Sequence, residues 1–242
     1  MTAALITLSH GSRHERAQRG IERLTAAAAM TLGVGAMDSY LEFNAPDLTG
    51  AARLAAAEGY DTAVVVPLLF TRAFHATKDV PAAIDAARAA TGIELVPAAG
   101  LGQGADLVEV LARRVRVDAP VHASIILYPV GTSNDQAAAK TQNLGAALGA
   151  ATGREVTVVP ATGRGRITGN EGIEQAARGQ PQVHVVPLFV TDGLLLDRAT
   201  HAFGEIQDRT GARITHSAPL ITDLTDIVAS RFSEALHERG EI

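Results

Sequence analysis

Thr62-Ala63-Val64-Val65-Val66-Pro67-Leu68-Leu69 is apolar at every position after the first. A strand with one wet face alternates apolar and polar side chains. A run without alternation belongs to a strand covered on both faces, as in a parallel sheet between helical layers. On either side of it, short apolar or β-branched runs alternate with Ala-, Glu- and Arg-rich stretches of helical length. Strands are expected at 3–9, 34–41, 61–68, 93–97, 122–128, 155–160, 182–188 and 212–216. Helices are expected at 14–32, 47–58, 80–91, 105–116, 133–152, 170–179, 197–210 and 222–238. Pro46 and Pro81 suit helix N-termini, where the missing N–H costs nothing, and Gly59 and Gly92 suit helix ends. The class is α/β.

The chain also repeats itself. A shift of 120 positions puts Val65-Val66-Pro67-Leu68 on Val185-Val186-Pro187-Leu188, Gly11-Ser12 on Gly131-Thr132, and Asp106-Leu107-Val108 on Asp226-Ile227-Val228, with no gap required. This predicts two tandem domains, 1–118 and 119–242, each a parallel sheet flanked by helices, with the boundary near Val117-Asp118-Ala119-Pro120. At 242 residues the chain is long enough for two ordinary cores.

Composition removes several classes. There is no cysteine, which excludes disulfides, thiolate catalysis and thiolate metal sites. A net charge of −5 gives no general attraction to nucleic acid, so an anionic ligand must be held by local charge. The apolar run 3–8 ends at Ser9-His10-Gly11 and has no basic leader, so it reads as a buried strand, not a signal peptide or membrane span. A cytoplasmic monomer of two pseudo-symmetric domains, with neither membrane nor nucleic-acid partners, is the expectation.

Ligands of open parallel sheets bind beyond the carboxyl ends of the strands. His10 follows the first strand, Glu42 ends the second and His75 follows the third, so all three converge on one edge. In the repeat register they face Val130, Thr162 and Leu195. A scaffold that is kept while one constellation differs argues that the constellation is chemistry. Two imidazoles and a carboxylate suit a borderline divalent ion, and a neutral imidazole can also accept a proton. Arg13, Arg72 and Lys78 form a local basic rim. Gly11 and Ser12 open the next helix and offer backbone N–H groups to a carboxylate. Arg164 and Arg166 lie in the second-half loop matching the one after Glu42, which reads either as a reach to the same anionic ligand or as a flexible surface turn. His201 falls on Pro81 and is not a second ligand. His122, His184, His216 and His237 default to structure, and His14 is a minor auxiliary candidate.

Leu8-Ser9-His10-Gly11-Ser12-Arg13, Tyr40-Leu41-Glu42-Phe43 with Pro46, and Val66-Pro67-Leu68-Leu69-Phe70 through His75 and Asp79 resemble the sirohydrochlorin chelatases. These are the small class II chelatases of the CbiX/SirB type, whose long members hold two tandem homologous domains. The resemblance spans essentially the whole chain. It implies insertion of Fe(II), or next Co(II), into sirohydrochlorin, with His10 and His75 at the metal and Glu42 as acidic partner. No cofactor is implied beyond the divalent metal that is itself a substrate. The eight carboxylates of sirohydrochlorin account for a basic rim. The rival class is a non-catalytic two-lobed carrier of tetrapyrrole or metal. A histidine phosphatase would need an Arg-His-Gly start where Ser9-His10-Gly11 stands, and a chelatase of greasy protoporphyrin would need an apolar lip.

Overall fold

A computed structural model describes residues 3–71, 79–163 and 167–240. Among them are two four-stranded sheets, all parallel. The first has the order β2-β1-β3-β4, from β1 (Ala4–Ser9), β2 (Ala36–Tyr40), β3 (Thr62–Pro67) and β4 (Glu94–Pro97). The second has the order β6-β5-β7-β8, from β5 (Ser124–Pro129), β6 (Val156–Val158), β7 (Gln182–Leu188) and β8 (Arg213–His216). The helices are α1 (Ala17–Leu32), α2 (Leu48–Ala57), α3 (Val80–Thr91), α4 (Ala105–Asp118), α5 (Asp135–Thr152), α6 (Gly169–Ala177), α7 (Leu194–Thr210) and α8 (Thr225–Glu238). None of the described helices is long and apolar enough to cross a membrane.

Both faces of the first sheet are buried, as the Thr62–Leu69 run predicts. Ile6, Leu8 and Val65 pack with Leu48, Ala51 and Ile84 from α2 and α3. On the opposite face Thr7 Oγ1 meets Thr25 Oγ1 of α1 at 2.6 Å, which satisfies two buried hydroxyls together.

The packing units differ from a division at 118/119. One unit runs to Gly102 and resumes at Ile221; the other is Gln103–Leu220. α8 therefore packs on α1 and β3, while α4 packs on α5 and β7. The two helices occupy matching places in the repeat and have exchanged sheets. Their apolar stripes are alike, with Leu107, Val110, Leu111 and Val115 in one and Ile227, Val228, Phe232 and Leu236 in the other. Arginines on each helix anchor the exchange: Arg231 donates to the Gly100 and Leu101 carbonyls at 3.2 and 3.0 Å, and Arg114 to the Pro219 carbonyl at 3.3 Å. The 118/119 boundary describes the sequence repeat, not the packing.

The gapless register also needs amendment. Leu5 pairs with Ala36 as Ile125 pairs with Val156, an offset of 120. Val64, however, pairs with Val96 as His184 pairs with Thr215, and the left-handed glycines that end α3 and α7 are Gly92 and Gly211. The offset there is 119, and it returns to 120 where α4 and α8 begin. One residue is lost between β3 and the end of α3, and one is gained after β4. His75 thus faces Leu194 or Leu195, neither of which carries a ligand atom. His201 falls well inside α7, opposite Pro81 or Ala82.

One buried group in the second unit carries a pH consequence. His184 is 1% exposed, with Nδ1 2.8 Å from Thr215 Oγ1 and Nε2 3.0 Å from Ser217 Oγ. The matching positions in the first sheet are Val64, Val96 and Ala98. Burial pushes the His184 pKa down from 6.5 to about 4, with Asp118 opposing the shift and His216 and Arg154 adding to it. Between those values the unfolded chain binds a proton that the folded chain refuses, so stability falls as pH drops from 6.5 toward 4 and is unaffected above. The loss is on the order of 3 kcal/mol. Urea titrations at pH 7 and pH 4 should show the triple variant His184→Val, Thr215→Val, Ser217→Ala losing less stability than the parent. Equal losses would assign the acid sensitivity to other groups.

Candidate functional site

The site starts from a strand ladder that continues past its named ends. Leu41 N–H donates to the Ser9 carbonyl at 2.9 Å and Glu42 N–H to the His10 carbonyl at 3.0 Å. These two bonds place His10 and Glu42 side by side at the carboxyl edge of the first sheet. Gly11, at φ +90°, lies so close to the Glu42 carbonyl that a Cβ there would overlap the oxygen. Only glycine fits both the left-handed backbone and the close approach. The loop after Glu42 is tied down by Asn44, whose Oδ1 accepts Ser12 N–H at 2.8 Å and whose N–H donates to the Glu42 carbonyl at 2.8 Å.

Phe43 sits between these anchors at φ +65°, a conformation rare for a bulky residue and costly by about 1–2 kcal/mol. Its ring meets the His10 imidazole edge-on, with centroids 6.0 Å apart and planes at 80°. The Arg13 guanidinium lies over the Phe43 ring, 4.9 Å from the centroid. His10 is half-buried, whereas Arg13 and Glu42 are exposed. Tyr40, buried just before this loop, has its phenol pushed above the ordinary range by burial and by the Asp38 carboxylate. It stays protonated and is no base.

Several expected roles change. The first helix begins at Ala17, not at residue 14, so Gly11 and Ser12 do not open it. Their N–H groups already donate, Gly11 to Ser9 Oγ at 3.4 Å and Ser12 to Asn44 Oδ1, so they form no open cradle for a carboxylate. Both are builders of the loop. His14 is buried, and its Nδ1 accepts Arg16 N–H at 3.1 Å, at the place where Asn134 caps α5 in the repeat. Its role is local structure. His75, Arg72, Lys78, Arg164 and Arg166 lie outside the described residues. Among the described residues no group of three or more His, Asp or Glu side chains is placed to hold a metal; of the expected constellation, the structure describes His10 and Glu42.

Phe43 and Asn44 were not singled out from sequence. The readable signal for Phe43 was its replacement by Gly163 in the same register that removes His10 and Glu42. Asn44 gave none, because its role depends on where Ser12 comes to lie.

The second sheet repeats the scaffold and not the constellation. Ala161 N–H donates to the Pro129 carbonyl at 2.8 Å and Thr162 N–H to the Val130 carbonyl at 3.0 Å. Gly131, at φ +100°, crowds the Thr162 carbonyl as Gly11 crowds Glu42. Val130 stands in the place of His10 and is 45% exposed. The Thr162 hydroxyl donates to the Val130 carbonyl at 2.9 Å. Arg13 and Phe43 are matched by Ser133 and Gly163.

Residues 4–117 match the CbiX family model. Over that segment the chain is similar to the CbiX family. The matched segment contains the described members of the constellation, His10 and Glu42. The chain is 36% identical over 76 residues to a sirohydrochlorin cobaltochelatase of Sulfurisphaera tokodaii, a match covering 31% of this chain and 61% of that protein. Two solved structures share its fold. SirB from Bacillus subtilis with Fe3+ has a TM-score of 0.82 at 19% identity, covering 100% of this chain and 98% of the other. The sirohydrochlorin chelatase SirB from Bacillus subtilis subspecies spizizenii in complex with cobalt has a TM-score of 0.80 at 17% identity, covering 99% and 97%. The two-sheet α/β architecture, first half and second half alike, is the class II chelatase fold.

Proposed function

We propose that this protein is a sirohydrochlorin chelatase that inserts a divalent metal, Fe(II) in preference to Co(II), at a single site in its first half. The observation that carries the reading is the pairing of His10 with Glu42 on a ladder whose twin in the second sheet holds Val130 and Thr162 on the same hydrogen bonds. The curated relative's name and the metal-bound SirB structures point the same way. Metallation exchanges two pyrrole protons for one M²⁺. His10, with His75, would hold the partly dehydrated ion at the ring face, and a neutral imidazole would take up a released proton. Glu42 balances the charge of the ion. Arg13 stands beside this pair for a peripheral carboxylate, with Arg72, Lys78, Arg164 and Arg166 as further proposed contacts. The preference for Fe(II) is not set by affinity: the Irving–Williams order ranks Co(II) above Fe(II), and Ni(II) and Cu(II) above both, so supply and kinetics decide.

The test is anaerobic incubation of the full chain with excess sirohydrochlorin and either Fe(II) or Co(II), following the tetrapyrrole spectrum. Many metallated products per chain, formed faster with Fe(II), are expected. A plateau at one product per chain would make the protein a carrier, and faster turnover with Co(II) would reverse the metal preference.

A further inference from the structure

We infer that Phe43 is a positioning residue, holding the Arg13 guanidinium beside His10 as a ready-oriented clamp for a peripheral carboxylate of the tetrapyrrole. The inference rests on the chelatase reading and adds a residue that the reading does not use. Three observations carry it.

First, Phe43 is no core residue. It is 52% exposed, and the aliphatic cluster of the first sheet does not include it. Burial of its ring cannot be what retains a bulky side chain in a left-handed backbone conformation. Second, its two aromatic-type contacts are both with site residues: the His10 imidazole meets it edge-on at 6.0 Å, and the Arg13 guanidinium lies over it at 4.9 Å. A long exposed arginine otherwise samples many rotamers. A ring face removes much of that freedom while leaving the N–H donors at the guanidinium edge available to a carboxylate. Third, the second sheet keeps the ladder, the crowded glycine and the hydroxyl after it, yet has Gly163 for Phe43 and Ser133 for Arg13. Gly163 is not among the residues at positive φ there, so the strained backbone occurs only where the arginine and histidine occur. The loop does not need an aromatic side chain to fold; the site does.

The test compares Phe43→Leu, Phe43→Tyr, Arg13→Ala and the double variant Phe43→Leu/Arg13→Ala in the full chain. Two readouts are taken: equilibrium binding of metal-free sirohydrochlorin through its own fluorescence, and steady-state kcat and KM. Phe43→Leu should weaken tetrapyrrole binding and raise KM by roughly three- to fivefold, the range of an exposed cation–π contact, with kcat and the affinity for Co(II) alone within about twofold. Phe43→Tyr, which keeps the ring, should restore KM. The double variant should bind no more weakly than Arg13→Ala, because the ring acts through the arginine. Wild-type affinity in Phe43→Leu, or penalties that add in full in the double variant, would overturn the clamp and leave the chelatase reading standing. Tetrapyrrole binding without turnover in the parent chain, with the coupling intact, would overturn chelation and leave the clamp.

Discussion

Gly11→Ala should destabilise the first unit by more than about 3 kcal/mol, and Gly131→Ala should do the same to the second. Each glycine has a φ that alanine adopts only with strain, and each would drive a Cβ into a backbone carbonyl oxygen, of Glu42 in one case and Thr162 in the other. A carbonyl in a parallel ladder cannot swing aside without breaking the bonds that join Leu41 to Ser9 and Glu42 to His10, or their twins in the second sheet. Urea denaturation measures both losses. Their functional consequences should differ: folded Gly11→Ala protein should have displaced His10 and Glu42 and lost at least about tenfold in turnover, since small misplacements at a reacting centre are costly. Folded Gly131→Ala protein should keep its turnover. A Gly11→Ala chain with the stability of the parent would mean that the close approach of the two loops is wrong.

The architecture was legible because its signals are local. Unalternating runs such as Thr62–Leu69 fix parallel strands covered on both faces, and the repeat brings two copies. The exchange of α4 and α8 was not legible, because their apolar stripes fit either sheet and the deciding contacts, Arg231 on Gly100 and Leu101 and Arg114 on Pro219, join residues more than a hundred positions apart. The shift of one residue between β3 and β4 was hidden for a different reason: a later shift cancels it, so the flanking matches agree without a gap. α1 starts three residues later than its composition suggests. That delay turns Gly11 and Ser12 from a helix opening into a loop whose amides are already engaged.

At the site, His10 and Glu42 could be found from sequence because strand order alone brings the ends of β1 and β2 to one edge, and loss in the second half marked them as a set. Phe43 and Asn44 act through approach in space, one over Arg13 and against His10, the other across to Ser12, and no periodicity records that. The asymmetry between halves remains the strongest guide. The same ladder and the same crowded glycine serve both sheets, so the side chains that differ on them are not required by that part of the fold.

The most direct test of a single chelating site in the first half is the turnover of the double variant His10→Ala/His75→Ala, measured with sirohydrochlorin and Fe(II) beside the matched second-half variant Val130→Ala/Leu195→Ala. His10 is half-buried and outside the aliphatic core of the first sheet, and urea denaturation of the variant beside the parent reports whether its fold is kept. Removing the groups that hold the ion and accept the pyrrole proton should lower the insertion rate by about 100-fold or more, the scale of a lost acid–base and metal-binding pair. The second-half variant should stay within about threefold of the parent in turnover per folded chain, since neither Val130 nor Leu195 carries a ligand or titratable atom. Leu195 packs against the core of the second sheet, so the change costs stability and not chemistry. Retained turnover in the His10→Ala/His75→Ala chain, with its fold intact, would contradict the assignment of the site to the first half.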